Sequence, residues 1–175
     1  VSVEVNTTNA QVDLTKMDAD MAVRPTLNPP DSLVGRRICE LRFGLFGAES
    51  FLAERGDMQL PWIGLAGPLA RSSVGEWLER SPSTGPLVMR CDSFKIALAL
   101  CERGLGCAVL PCFMGDLAPT LRRVVPEPLT FANEVWLLHH RDMRRTAVMR
   151  EVADYLVDAM RARRGWLEGL GRMSR

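Results

Sequence analysis

The stretch SFKIALALCERGLGCAVLP, Ser93 to Pro111, decides the class of fold. Its first part, Ser93 to Arg103, is apolar on nearly every side at helical spacing, which predicts a well-buried helix. Asp92 or Ser93 stands ready to cap the start, and Gly104 to end it. Cys107 to Leu110 then runs without a polar residue, as a parallel strand covered on both faces requires, and Pro111 stops it. A buried helix feeding a doubly covered strand is the repeating unit of an α/β fold.

The same alternation extends upstream. Arg42 to Phe46 is strand-like and Glu49 to Arg55 a short helix. Trp62 to Leu65 is strand-like and is followed by Ala66-Gly67-Pro68. Val74 to Arg80 reads as a helix and Leu87 to Arg90 as a strand. At the N-terminal end Val1 to Val5 alternates as a strand does, Asn6 to Asn9 is a polar loop able to cap, and Ala10 to Met17 has an amphipathic helical pattern. Asp20 to Val23 is a further strand, so this unit predicts parallel pairing. Pro25 to Gly35 is a loop stiffened by Pro25, Pro29 and Pro30. Downstream, Glu134 to His140 is a strong strand. Thr146 to Ala162 is a helix with an expected cap near Asp142 and Val148, Val152, Tyr155 or Leu156, and Ala159 at helical spacing. Arg161 to Arg175 reads as a frayed basic tail with Trp166 as anchor. The whole predicts an α/β fold with mostly parallel sheets.

The 175 residues suffice for one domain or two small lobes. Of them 47% are hydrophobic and 25% charged, and the net charge of +1 leaves no basic stripe to bind nucleic acid unaided. No apolar run approaches the roughly 18 residues of a membrane span, and Val1 to Asn9 lacks the pattern of a secretion signal. The five cysteines are odd in number and form no CxxC, which favours a reduced, cytosolic setting. Cys107 and Cys112, with Pro111 between them, are the one pair with a redox reading.

Enzyme signatures are absent. His139 and His140 are adjacent, so in a strand they face opposite ways and make a poor metal site. The carboxylates Asp18, Asp20, Glu49 and Glu54 form no acid–base constellation. No catalytic residue, metal ligand or cofactor is expected. In α/β sheets ligands bind beyond the carboxyl ends of the strands, which selects the loops after Val5, Val23, Leu65, Arg90 and Leu110. Those loops carry small donors. Thr7 and Thr8 offer hydroxyls, and Arg24, held by Pro25, offers a planar fork suited to a carboxylate. Ser93 opens a helix whose positive end suits an anion. Ser93 and Thr8 also read as plain helix caps, and Arg24 equally as a solvated strand-end arginine.

The stretches VSVEVNTTNAQVDLTKMDADMAVRPTLNPPDSLVGRRI, LRFGLFGAESFLAERG, RCDSFKIALALCERGLGCAVLPCFMGDLAPTLRRVVPEP and EVWLLHHRDMRRTAVMREVADYL resemble the effector-binding domain of LysR-type transcriptional regulators. The resemblance covers about Val1 to Val157. It implies a two-lobed fold like the type 2 periplasmic binding proteins, joined by two crossover strands. Lobe I would be residues 1–40 and 133–175, and lobe II residues 41–132. The implied lining of the cleft is Thr7 or Thr8, Arg24 and Pro25, Ala66, Gly67 and Pro68, Asp92, Ser93 and Phe94, and Pro111. Implied partners are a small, anionic effector and, through a helix-turn-helix that these residues do not contain, DNA. A cytoplasmic homodimer or tetramer, without membrane contact, is the implied setting. Measured against the family pattern, the first strand and helix of lobe I are expected to be missing. The rival readings are a transporter's periplasmic solute-binding protein and an enzyme on the same scaffold.

Overall fold

The computed structural model describes residues 2–7, 19–26, 29, 31–55, 59–81, 85–126, 128–140 and 146–170. The expected helix over 10–17, and Thr8, Asp18, Pro30 and Asp142, lie outside them. Seven strands form one open sheet: β1 (Met21–Pro25), β2 (Leu33–Ala48), β3 (Trp62–Leu65), β4 (Leu87–Cys91), β5 (Cys107–Pro111), β6 (Leu121–Arg123) and β7 (Ala132–His140). Their order is β1-β7-β2-β5-β3-β4, with β6 also on β2. The helices are α1 (Glu49–Arg55), α2 (Gly67–Ala70), α3 (Ser73–Arg80), α4 (Phe94–Glu102), α5 (Cys112–Gly115), α6 (Ala147–Arg161) and α7 (Arg164–Leu167).

The α/β class holds, but the sheet is mixed where mostly parallel pairing is expected from sequence. Only β3 pairs in parallel, with β4 and β5. β1 with β7, and β2 with β7, β5 and β6, run antiparallel. The cause is β2, a 16-residue strand that pairs with β7 over Leu33 to Arg42 and with β5 from Phe43. It joins a β1-β7-β2 ladder to a β2-β5-β3-β4 ladder. The sequence pattern places a loop through Gly35 and starts the strand only at Arg42. Arg36, Arg37, Glu40 and Arg42 break its apolar run, yet all four find ionic partners: Arg36 with Asp154 at 2.6 Å, Arg37 with Glu134 at 2.9 Å, and Arg42 with Glu40 at 3.1 Å.

Residues 2–7 form no strand and are exposed, Val3 at 64% and Val5 at 79%. Alternation makes a strand only where a ladder partner and a face to bury exist, and none among the described residues pairs with this segment. The doubly covered strand is observed as expected: Cys107 to Leu110 are all 1% exposed or less. α4 is less buried than its composition implies. Ala97 and Cys101, one turn apart, are fully buried, but Ile96 is half exposed. Gly104 closes α4 at φ +70°, a conformation that favours glycine. In α6 Ala153 and Val157 are buried and Leu156 packs against the core, whereas Val148 and Tyr155 face outward, so of the two alternatives Leu156 is the inward one.

The core joins both ladders through Phe43, Phe46, Ile63, Leu110 and Leu137. All five cysteines are free and buried within or beside it, so Cys107 and Cys112 form no disulfide. Burial pushes the Cys101 thiol up to about 12, and those of Cys107 and Cys112 up to about 11, from an ordinary 9.0. A raised value means the folded chain holds its protons more tightly than the unfolded chain. The stabilisation is therefore complete below pH 9 and is lost as pH rises toward 11 to 12. One pH unit above the unfolded thiol value, each of these three thiols should cost the fold about 1.4 kcal/mol. Chemical denaturation on either side of that value tests this. The midpoint should fall in alkali, less so in Cys101→Ala, and an unchanged midpoint would refute it.

Candidate functional site

The parallel strands β3, β4 and β5 end together. Leu65 stands opposite Cys91, and the Ala66 N–H donates to the Cys91 carbonyl at 2.8 Å, so the loops after β3 and β4 adjoin. Gly67 has φ +55°, and a Cβ there would lie 3.5 Å from that of Asp92. Pro68 occupies the first turn of α2. Ser93 is the N-cap of α4, but its hydroxyl makes no capping bond and the first turn carries no acid. The Cys91 thiol donates to the carbonyls of Ser93 at 3.6 Å and Gly64 at 3.8 Å, and burial raises its pKa, so it is no thiolate nucleophile.

Pro111 closes β5 opposite Phe43 of β2. Phe43 packs its ring 5.9 Å from Phe94 and 5.5 Å from Phe131. Ala66, Gly67, Pro68, Asp92, Ser93, Phe94 and Pro111 thus gather at one strand-end edge over a floor of Phe43 and Phe131. The Ser73 hydroxyl, at the start of α3, donates to the Asn133 side-chain oxygen at 2.7 Å. That bond ties this edge to the start of β7, where the two ladders meet. Phe43, Phe131, Ser73 and Asn133 escape a reading of the sequence because each acts through a partner remote in the chain, a relation no local pattern records.

Arg24 sits on the other ladder. Register places it beside Trp136 of β7, and Trp136 beside Arg37 of β2. Glu134 accepts from the Trp136 indole N–H at 3.1 Å and from Arg37 at 2.9 Å. Arg37 is thereby compensated, while Arg24, half-buried, makes no hydrogen bond or ion pair with a described residue. Pro25 is exposed at the end of this edge strand, where its missing N–H costs nothing, and Thr26 continues the ladder by donating to the Glu134 carbonyl at 2.8 Å. Thr7 is exposed in the irregular segment 2–7, and Thr8 lies outside the described residues.

Two cavities, of about 170 and 200 Å³, lie under α3, where Leu65, Ala70 and Arg90 line the wall, and under α6. The described residues include no cluster of metal-ligating side chains and no helix long and apolar enough to cross a membrane.

Residues 1–161 match the model of the LysR substrate binding domain. This chain belongs to the LysR substrate-binding-domain family. Its open mixed sheet is the periplasmic-binding-protein-like fold of that family. The regulatory domain of CrgA, a LysR-type transcriptional regulator from Neisseria meningitidis, is similar at TM-score 0.69 and 20% identity, over 84% of this chain and 78% of that one. The AmpR effector binding domain from Citrobacter freundii is similar at TM-score 0.69 and 17% identity, over 89% and 81%. Full-length LysG from Corynebacterium glutamicum, with bound effector Arg, is similar at TM-score 0.62 and 17% identity, over 84% of this chain and 53% of that one. No curated protein sequence matches the chain. The family and these neighbours are transcriptional-regulator domains rather than enzymes.

Proposed function

We propose that this LysR substrate-binding domain is the effector-sensing part of a bacterial cytoplasmic transcription factor. A small carboxylate binds between two halves, residues 1–40 with 133–175 and residues 41–132. DNA is read by a helix-turn-helix outside these residues, in a homodimer or tetramer. The family match over residues 1–161 carries the regulatory reading, and the uncompensated Arg24 guanidinium carries the choice of an anion. Arg24 takes the carboxylate from one ladder. The start of α4, with Ser93, and the adjoining Ala66 to Pro68 loop receive the rest of the molecule from the other. Binding shifts the population of relative orientations of the halves, which is all a ligand with unequal affinity for two states needs to do. A transporter's solute-binding protein shares the scaffold, but the family of this chain is regulatory. No base is placed for catalysis, since the Cys91 thiol stays protonated and no described carboxylate is buried among these loops.

The test is calorimetric titration with a panel of small carboxylates. A carboxylate that binds the wild-type chain should bind Arg24→Ala about 10- to 100-fold more weakly, the worth of one hydrogen bond to a charged group. Equal affinity removes Arg24 from the site, and a panel in which only uncharged analogues bind overturns the anionic reading.

A further inference from the structure

Within residues 164–170, whose sequence reads as part of a frayed tail, Trp166 to Gly169 are docked. After α6, the chain turns into α7 and runs on through Glu168 to Leu170. Leu167 and Glu168 are 7% and 5% exposed, and Gly169 is buried. The buried Glu168 carboxylate accepts from the Glu40 N–H at 3.1 Å and from Arg164 at 2.7 Å. Glu40 lies in β2, three residues before that strand leaves β7 for β5. The next residue is held by the other half. The Gly169 carbonyl accepts from Arg123 of β6 at 3.1 Å, while Arg123 forks onto Asp116 just after α5 at 2.8 and 2.6 Å. Gly169 has φ +69°, and a Cβ there would come within 2.7 Å of Cys112 Cβ and 2.8 Å of its sulfur. Trp166 places its ring edge-on to Phe113 of α5, 5.3 Å between centroids.

α6 itself rides on the first ladder, through Arg36 to Asp154 at 2.6 Å and Arg161 to the Arg37 carbonyl at 2.8 Å. One continuous segment therefore fastens α6 to α5, the helix that begins directly after Pro111 at the candidate site. We propose that residues 164–170 are a strap across the two ladders that sets the resting opening of the crevice and must shift on Arg123 and α5 when the halves reorient. The proposal rests on the reading of those halves as closing around a ligand. The strap is poised rather than locked. Gly165 and Leu170 are exposed, whereas the apolar contacts of Leu167 and Trp166 favour the docked state.

Spin labels on cysteines introduced at the exposed Glu76 of α3 and Glu151 of α6 would report the distance between the halves, the native thiols being buried. No ligand is needed, so the outcome is independent of the Arg24 titration. Gly169→Ala, which drives a methyl into Cys112, and deletion of residues 164–175, which removes the strap and leaves α6 whole, are each expected to give a distance distribution about twice as broad as the unmutated pair. Circular dichroism and thermal melting establish that the variants fold. An unchanged distribution in the folded deletion variant overturns the strap, and so does failure of both variants to fold, since the segment would then be part of the core.

Discussion

Phe43→Ala is expected to lower unfolding stability by about 3–5 kcal/mol, the cost of a large aromatic cavity in a core that cannot collapse. Phe43 is 1% exposed. Its neighbours come from separate parts of the chain: Phe94 opens α4, Phe131 precedes β7, and Pro111 ends β5. No single movement fills a hole bounded by three independently anchored elements. Its carbonyl accepts the Leu129 N–H at 2.7 Å whatever the side chain, so the strand itself should persist. Urea denaturation should show a lower midpoint at unchanged slope, while Ile96→Ala, on the half-exposed side of α4, should stay within about 0.5 kcal/mol of wild type. A loss below about 1 kcal/mol for Phe43→Ala would show that the floor of the candidate site repacks freely. The same substitution should weaken binding of any carboxylate found to bind, because Phe94 rests on this ring and Pro111 pairs with the same residue across the ladder.

Gly75→Ala is the second large effect, and its sign is the diagnostic part. In an ordinary helix the change stabilises by up to about 1 kcal/mol. Here it should destabilise by about 1–3 kcal/mol or more. Gly75 is in the first turn of α3, where its N–H donates to the capping Ser72 hydroxyl at 3.3 Å. A Cβ would overlap the Ala70 carbonyl oxygen and stand 2.6 Å from the Ala70 carbonyl carbon and the Leu69 oxygen. All three are backbone atoms of α2 and its end, with no flexible tip to swing aside. α2 follows directly on the Ala66 to Pro68 loop, so the strain would be felt at the candidate site. Thermal denaturation decides the matter, and a raised melting temperature would refute the close approach of α2 to α3.

Part of the candidate site is legible in the amino-acid sequence. The rule that ligands gather beyond carboxyl strand ends selects the loops after Leu65, Arg90 and Leu110, and those loops do meet, because β3 pairs in parallel with both β4 and β5. Arg24 is selected by the same rule, but its strand runs antiparallel to β7 on the other ladder. What marks it out, the absence of the acidic partner that Arg37 has, follows from cross-strand register and is invisible in the local pattern. Thr7 is selected as following a strand, and residues 2–7 form none.

The order of apolar and polar residues dictates what each segment must bury. Four apolar residues in a row at Cys107 to Leu110 leave no side for water, and the strand is covered on both faces. Ala97 and Cys101 one turn apart demand a packed helix, and Gly104 supplies the backbone freedom to end it. The direction of neighbouring strands, the face that α6 turns inward, and the docking of Glu168 and Gly169 follow from the assembled fold alone. Side-chain pattern records the polarity of an environment, not the identity of the remote partner that creates it. A charged, broken run such as Arg36 to Arg42 becomes a strand only when β7 and α6 supply the counter-charges.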